Sequence, residues 1–412
     1  MAVFRGFRAY RPSSDMQALI PALPYDVMSS EEAREMVKDK PYSFLHIDRA
    51  EIDFPVGVDQ YSAKVYEKAR ENLLSLEKEG KLIQDSSPCF YIYKQVMNGR
   101  GQVGLVGCAS IDDYLNNIIK KHEHTLAKKE QDRINHVDTC NANTGPIFLT
   151  YRKNDEINSI ISEWMYNHKP EYDFISDGVS QTVWAVNDNY TVVKLQGLFD
   201  HVNAMYIADG HHRCASAVKV GQKRREQKGR YTGQEEFNYF LAVAFPDADL
   251  EIMDYNRVVK DLNSNTTEQF IEKISDKFIV NKVDSKYKPS KKHTFGMLID
   301  SQWYSLEAKP EIINEQSPVD RLDVSILQDN ILAPVLGIEN PKTDERIAFI
   351  GGIRGLEELE RRVNTDMKLA FAMYPTTVED LMDIADAGLI MPPKSTWFEP
   401  KLLSGLFIHH LD

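Results

Sequence analysis

The chain has few of the features that mark several large classes of protein. Its four cysteines are widely spaced and include no Cys-x-x-Cys pair, which argues against a zinc knuckle or a disulfide framework and favours reduced thiols. The longest apolar runs, such as Tyr239–Pro246, are far too short to cross a bilayer, and the N-terminal residues lack the apolar core of a signal peptide. We therefore expect a cytoplasmic protein without a membrane partner.

Positive charge is also scarce. The 412 residues include 49 Lys or Arg and 62 Asp or Glu, which gives a net charge of −13. Because nucleic-acid binding needs clustered cations, this balance argues against a nucleic-acid partner, although it allows a local basic pocket. The sequence contains no Walker A loop and no Gly-x-Ser-x-Gly elbow, which argues against a P-loop nucleotide site and an α/β-hydrolase serine site.

The length predicts two to three domains, since a domain averages about 150 residues. We divide the chain into three regions, 1–114, 115–246 and 247–412, each with short helical and extended patterns in mixed order. This mixture predicts an α+β fold. No pattern predicts an oligomeric state.

Hydrophobic periodicity places the main elements. Apolar residues spaced by three and four predict helices, and aromatic or branched runs between turn residues predict strands. The predicted helices are 58–81, 157–167, 214–220, 267–278, 320–332 and 378–387. The predicted strands are 89–96, 102–111, 146–151, 182–186, 190–195, 204–208, 294–300 and 302–306, with 182–195 expected to be a hairpin.

The most informative segment is Asp209-Gly210-His211-His212-Arg213, which follows an apolar strand and opens a helix. A helix N-terminus presents unpaired N–H groups and partial positive charge. The guanidinium is always a cation, and the two imidazoles are possible cations. Cations at a helix N-terminus oppose the helix dipole, so they lower stability unless an anion binds there. Phosphate is the natural candidate, with Gly210 allowing close approach and Arg213 forming two hydrogen bonds. Asp209 could cap the helix or hold Mg²⁺ shared with phosphates.

Two alternatives remain open for this segment. It could be a capped helix with two structural histidines. It could instead be a metal site, although His211 and His212 point about 100° apart on a helix and are poorly placed to share one zinc.

A second charged segment, Lys120-Lys-His122-Glu123-His-Thr125, precedes Asp132-Arg133. A solvated helix is the simplest interpretation. The histidines are two residues apart, so this is not the zinc-protease pattern. The functional alternative makes Glu123 a general base that takes a proton from an alcohol attacking phosphorus, with Arg133 holding Asp132 or reaching the site.

Three other segments have structural interpretations and weaker functional ones. Pro24-Tyr25-Asp26 with Ser29-Ser-Glu-Glu32 is typical of a loop feeding a capped helix. Arg257 is expected to follow a strand and to form a structural ion pair. Pro392-Pro393 followed by Lys394, Ser395 and Thr396 predicts either a rigid connection or a substrate-binding lid.

The order of six segments resembles the domain-of-unknown-function 1015 family across nearly the whole chain. The segments are Pro24-Tyr-Asp-Val27, His122-Glu-His-Thr125, Asp132-Arg133, Ala208-Asp-Gly-His-His-Arg213, Asn256-Arg-Val-Val259 and Pro392-Pro-Lys-Ser-Thr396. The resemblance makes Tyr25, Asp26, Thr125, Arg133, Arg257, Lys394, Ser395 and Thr396 candidate substrate or lid residues.

More distantly, a His-Glu box followed by Asp-Gly-His-His-Arg resembles the free serine kinases of the ParB/sulfiredoxin-like fold. The resemblance implies a mixed-sheet catalytic core of this fold, elaborated by N- and C-terminal α/β segments. It implies that residues 209–213 bind donor phosphates, and that Glu123, with His122 beside it, activates the substrate hydroxyl.

The leading hypothesis is a small-molecule kinase that transfers a phosphoryl group from ATP, ADP or pyrophosphate to a hydroxyl, best free L-serine, with Mg²⁺ bridging donor oxygens. One alternative is a phosphoester hydrolase or nuclease on the same scaffold. The other is a non-catalytic nucleotide-binding regulator.

Overall fold

The computed structural model describes all of residues 1–412, which form two compact units. The first comprises Met1–Leu250 and Pro400–Asp412, and the second comprises Glu251–Glu399. Twelve helices and a large mixed sheet of nine strands confirm the α+β prediction. Strands from 1–114 and from 115–246 share that sheet, and the division into three regions stays a prediction.

The first unit contains twelve labelled strands. In chain order they are β1 (Phe4–Arg5), β2 (Tyr10–Pro12), β3 (Leu82–Gln84), β4 (Phe90–Met97), β5 (Arg100–Ser110), β6 (Ile119–Lys120), β7 (Ala142–Asn143), β8 (Ile147–Tyr151), β9 (Tyr172–Ser176), β10 (Val179–Val186), β11 (Met205–Asp209) and β12 (Tyr239–Pro246). A terminal strand, His409–His410, pairs with β7.

The large sheet has the order β6-β11-β8-β12-β5-β4-β10-β9, and β1 pairs with β5. Two neighbouring pairs are parallel, β6 with β11 and β8 with β12, and the other pairs are antiparallel. Every residue of β8 and β12 is buried, which is expected for strands covered on both faces. The sheet therefore holds β11 between the edge strand β6 and the buried strand β8, and Asp209 at the end of β11 pairs with Phe148 of β8.

The helices of the first unit are α1 (Ser30–Met36), α2 (Leu45–Asp48), α3 (Ala63–Lys78), α4 (Ile111–Leu115), α5 (Ala127–Cys140), α6 (Asp155–Asn167), α7 (Asn189–Phe199) and α8 (His211–Lys228). The predicted capped helix after Pro24 is confirmed, because Ser29 and Glu32 form a reciprocal capping box at the start of α1. The predicted hairpin after Cys89 is also confirmed, as β4 and β5 pair around Asn98 and Gly99.

The prediction of a hairpin over 182–195 is wrong in its second half. Residues 189–199 form α7, and the Asp188 carboxylate caps this helix by accepting the backbone N–H of Thr191 at 2.9 Å. The branched residues of this stretch suggested a strand. Its buried positions, Val192, Leu195 and Phe199, have the spacing of a helix.

The helix after Gly210 is longer than predicted. It continues to Lys228 and includes the basic residues Lys223, Arg224 and Arg225. Those cations are placed along a helix that packs against α5. Lys223 and Arg224 both pair with Asp138, at 2.6 and 2.9 Å. Lys223 and Arg224 are therefore part of the contact between these two helices.

The second unit has six further strands and four further helices. They are β13 (Tyr255–Val259), α9 (Thr267–Ser275), β14 (Phe278–Val283), β15 (Thr294–Ile299), β16 (Gln302–Ala308), α10 (Asp323–Leu327), β17 (Ile347–Gly351), α11 (Gly355–Thr365), β18 (Leu369–Met373) and α12 (Val378–Asp386). The strands form one antiparallel sheet of order β14-β16-β15-β18-β13-β17. The expected hairpin over 294–306 is confirmed.

None of the helices has both the length and the apolar character that a bilayer span requires.

Candidate active site

The Asp-Gly-His-His-Arg segment lies where a buried strand passes into a long helix. Strand β11 ends at Asp209, Gly210 adopts the left-handed conformation with φ 91° and ψ 31°, and α8 begins at His211. The first helical bond runs from the Cys214 N–H to the Gly210 carbonyl at 2.9 Å. Because glycine has no capping side chain, the helix dipole and first-turn N–H groups favour an anion here.

The Arg213 guanidinium folds back over this turn. Its Nη1 donates to the Pro146 carbonyl at 2.6 Å, and its Nη2 donates to an Asp209 carboxylate oxygen at 3.0 Å. The other Asp209 oxygen lies 3.7 Å from Nζ of Lys401, in the C-terminal tail. The guanidinium is therefore fixed in direction, and the Asp209 carboxylate lies between two cations.

His211 and His122 form a buried pair beneath the start of α8. Their rings meet edge to face, with centroids 4.5 Å apart, and the His122 backbone N–H donates to Nε2 of His211 at 3.5 Å. Burial lowers the pKa of His122 to about 4 and holds the pKa of His211 well below its ordinary value. Both imidazoles are thus neutral near pH 7, so His211 does not supply the cation considered from the sequence.

The His-Glu segment crosses the first turn of α8. Besides the contact of His122 with His211, the Leu126 N–H donates to Nε2 of His212 at 3.0 Å. These contacts join residues that are 86 to 89 positions apart in the chain. Glu123, which is half-buried, lies between the two contact points. The structure therefore brings the two charged segments together.

Thr125 has a structural contact at the start of α5. Its hydroxyl donates to the Glu130 carboxylate at 2.6 Å, and Glu130 also pairs with Lys219 of α8. Although burial opposes ionisation, Lys219 and Thr125 hold the pKa of Glu130 below its usual value. This carboxylate is therefore ionised, and it ties α5 to α8 just below the crossing segment.

A cavity of 440 Å³ collects the remaining candidates of the first unit. Tyr25, exposed Asp26, Asp132 and Arg133 all line it. The Arg133 guanidinium lies 4.0 Å from the centre of the Tyr25 ring and pairs with Asp132 at 2.9 Å. Burial raises the pKa of Tyr25 above its usual value, so this phenol is neutral.

A much smaller cavity of about 20 Å³ lies between this pocket and the helix start. It is lined by Arg213 and Gly145 on one side and by Tyr25, Arg133 and His136 on the other. Since Tyr25, Arg133 and His136 also line the large cavity, the two share a wall. Arg213 therefore lines a small cavity that shares the residues Tyr25, Arg133 and His136 with the large one.

The family assignment is decided by sequence. The profile of the family described as "Protein of unknown function (DUF1015)" matches residues 4–325. The chain belongs to this family. The resemblance drawn from the six segments is thereby confirmed, and the match includes the candidate residues of the first unit.

Solved structures similar to this DUF1015 chain include free serine kinases. A free serine kinase mutant in complex with AMP has 14% identity and a TM-score of 0.36, with 70% of this chain and 85% of that chain covered. A mutant in complex with ADP has 13% identity and a TM-score of 0.36, with coverage of 74% and 90%. SbnI with a C-terminal truncation, from Staphylococcus aureus, has 9% identity and a TM-score of 0.38, with coverage of 73% and 85%. No curated protein matches the chain.

Several pocket residues of the DUF1015 chain were missed by sequence reasoning. Arg49 donates to the Tyr25 carbonyl at 3.1 Å and to the Ser30 hydroxyl at 2.8 Å, and it pairs with the buried Glu51 at 3.1 Å. Lys401, which lies 3.7 Å from Asp209 and does not line the large cavity, was also missed. These residues lie in segments without a recognisable pattern, so no local signal pointed to them.

The residues present offer Mg²⁺ only a partial site. No group of three or more His, Cys, Asp or Glu side chains is arranged to hold a metal ion. Mg²⁺ is commonly held by one or two carboxylates together with substrate phosphates. Asp209, which is partly exposed beside the helix start, is compatible with that shared arrangement.

Four candidates lie in the second unit: Arg257, Lys394, Ser395 and Thr396. Ser395 is buried, and its hydroxyl donates to the Pro392 carbonyl at 2.6 Å within the turn. Arg257 lies inside β13, not after a strand as predicted. It donates to the carbonyls of Tyr255 and Lys394, so the expected ion pair is absent. A substrate or lid role for these four stays a prediction.

Proposed function

We propose that this chain is a phosphotransferase that moves a phosphoryl group from a nucleotide or pyrophosphate to the hydroxyl of free L-serine. The observation that carries the proposal is the crossing of segment 122–126 over the first turn of α8. Glu123 lies within this segment, so in the proposal its carboxylate faces a helix start that favours a polyanion.

The donor phosphates would accept hydrogen bonds from the first-turn N–H groups and from Arg213. Glu123 would take the proton of the acceptor hydroxyl while the hydroxyl oxygen forms its bond to phosphorus. The bond from that phosphorus to the bridging oxygen breaks, and the remaining phosphate group leaves. Positioning and charge stabilisation supply most of the catalysis in such reactions, so few protein groups are needed.

Because the His122 and His211 imidazoles are neutral, other groups must offset the negative charge of the donor phosphates. With His122 and His211 uncharged, the helix dipole, Arg213 and the nearby Lys401 supply positive charge at this turn. Asp209 would hold Mg²⁺ together with donor oxygens, and the ion would neutralise part of the phosphate charge.

The large cavity suits a small zwitterion as acceptor. Its lining includes cations, Arg49 and Arg133, and carboxylates, Asp26, Glu51 and Asp132. An amino acid could pair its carboxylate with a guanidinium and its ammonium with a carboxylate. The residues that it shares with the small cavity lined by Arg213 support a route from this pocket to the proposed phosphate-binding turn. The same order of boxes in free serine kinases agrees with serine as the acceptor.

The direct test is synthesis of O-phosphoserine by the purified chain. We expect product, detected by ³¹P NMR, from L-serine, Mg²⁺ and one of ATP, ADP or pyrophosphate. Glu123→Gln should lower kcat by about 10²-fold or more if this carboxylate is the general base. The matched control is Glu163→Gln, an exposed position on α6, which should retain full activity.

Three results would contradict the proposal. Unchanged kcat in Glu123→Gln would remove the general-base role. Phosphate release without an alcohol acceptor would identify a hydrolase. Nucleotide-dependent thermal stabilisation without turnover over hours would identify a binding regulator.

A further inference from the structure

We propose that the second unit binds a small monocarboxylate with an apolar body, in a cavity where Arg257 receives the carboxylate. The cavity has a volume of 270 Å³, and every residue that lines it belongs to the second unit. The site is additional to the phosphotransfer chemistry proposed above.

Arg257 is a buried cation without a carboxylate partner. Its side chain extends from β13 and is only 3% exposed, yet its hydrogen bonds go to two carbonyls, those of Tyr255 and Lys394, the latter at 3.0 Å. A guanidinium has five N–H groups, so three remain for a ligand. Burial lowers the pKa of Arg257 to about 10, because no negative side chain compensates for lost hydration.

The guanidinium is also held in position. The two carbonyl bonds fix its plane, and the Phe349 ring centre lies 5.4 Å from its central carbon. An arginine fixed in this way presents a planar set of donors that matches a carboxylate. The cation is therefore arranged as an anion receptor before any ligand arrives.

The walls of the cavity are mainly apolar. The apolar lining residues are Val324, Leu332, Pro341, Phe349, Pro392 and Pro393, and the uncharged polar ones are Gln328 and Asn340. At the rim, exposed Glu339 and Lys342 carry opposite charges and add no net charge. The volume lies just below the usual range of about 300–1,000 Å³ for ligand pockets, so the ligand must be small.

The charge balance favours a carboxylate over phosphate. One buried cation neutralises one negative charge, whereas the second charge of a phosphate dianion would be left among apolar side chains at a large desolvation cost. The apolar walls would also bury a hydrocarbon chain favourably. A branched or aromatic monocarboxylic acid satisfies both requirements.

Isothermal titration calorimetry of the full chain with 4-methyl-2-oxopentanoate tests the proposal. Neither nucleotide nor serine is present, so the result is independent of the phosphotransferase assignment. We expect one site with a Kd on the order of 0.1–1 mM for an acid of this size, and weaker binding of inorganic phosphate. Arg257→Met should weaken binding at least about tenfold, since charged hydrogen bonds are lost.

The control is Arg354→Met, an exposed arginine of the second unit that does not line the cavity and should leave the Kd unchanged. Because Arg257→Met could disturb folding, Val324→Phe gives a second test by filling the cavity while retaining the guanidinium. It should abolish binding with the circular dichroism spectrum unchanged. Absence of binding by the wild type, equal binding by Arg257→Met, or phosphate binding tighter than the oxo acid would overturn the proposal.

Discussion

The two units of the molecule treat a buried arginine in different ways. Arg133 in the first unit and Arg257 in the second are 8% and 3% exposed. Arg133 lies against Asp132, and although burial opposes its charge, that carboxylate holds its pKa above the usual value. Arg257 has only carbonyl partners, and burial lowers its pKa to about 10. The partner, more than burial itself, decides whether a buried cation is satisfied.

This difference separates two kinds of site. The first unit has a cavity in which Arg49 and Arg133 are each already paired with a carboxylate, so a zwitterionic ligand can exchange with existing partners. The second unit has a cavity whose cation lacks a counter-charge, so a ligand would complete the site. The predictions below test this contrast, beginning with the largest expected change in stability.

Removing the carboxylate partner in the first unit should be costly. Asp132→Ala leaves Arg133 buried without its ion pair and removes the acceptor of the Tyr66 hydroxyl, which lies 2.9 Å away. We expect the free energy of unfolding to fall by about 3 kcal/mol, measured by urea denaturation at pH 7.

The control for this change is a solvent-exposed ion pair on the protein surface. Glu35 and Lys38 have side chains 70% and 65% exposed, so Glu35→Gln should change stability by less than about 0.5 kcal/mol. If Asp132→Ala changed the free energy of unfolding as little as Glu35→Gln does, the ion pair with Asp132 would not be what stabilises buried Arg133. The proposed difference between the two units would then be wrong.

The second unit also contains a buried carboxyl group without full compensation. One oxygen of Asp323 accepts the His293 N–H at 2.8 Å, while the other is buried without a partner. Burial raises the pKa of Asp323 to about 7, against the opposing effect of Lys292 and with a smaller contribution from Asp380. The folded chain therefore keeps a proton that the unfolded chain releases near pH 4.

Because the folded-state pKa is raised, this group lowers the stability progressively from about pH 4 to about pH 7 and has a constant effect above that range. Asp323→Asn removes the dependence. The free energy of unfolding of the variant should rise relative to wild type by a few kcal/mol between those pH values, since each pKa unit corresponds to about 1.4 kcal/mol. The exposed Asp320→Asn is the control and should show a much smaller pH-dependent difference. A constant offset for Asp323→Asn would contradict the interpretation.

The smallest expected effect on stability concerns the turn before α8. Gly210→Ala places a Cβ in the left-handed region and 3.1 Å from Nε of Arg213, whereas Gly178→Ala imposes a similar φ with no atom within 4 Å. Both variants should lose about 1 kcal/mol through backbone strain. Only Gly210→Ala should also weaken ADP binding, by roughly tenfold, because it displaces the guanidinium. Equal ADP affinities in the two variants would show that this turn does not bind the nucleotide.

Local patterns predicted much of the secondary structure. The capping box at Ser29 and the hairpin around Asn98 depend on neighbouring residues, and both are confirmed. Helix α7 was misread because its branched residues favour strands in isolation, whereas its Asp188 cap and packed face favour a helix. The spacing of Val192, Leu195 and Phe199 could have corrected that interpretation.

The candidate site was only partly predictable. The segment after Asp209 was singled out because a strand, a glycine and a basic helix start are contiguous in sequence. Arg49 and Lys401 were missed, since each reaches the site from a distant segment through contacts such as those with Tyr25 and Asp209.

Residue chemistry and spacing alone thus specified the α+β class, the strand-to-helix turn at Gly210 and the membership of the family. Tertiary packing alone decided that His122 and His211 are neutral, that segment 122–126 contacts the first turn of α8, and that Arg257 is buried without a counter-charge. The physical reason is that ionisation depends on hydration and neighbouring charges. Both are determined by residues far apart in the chain.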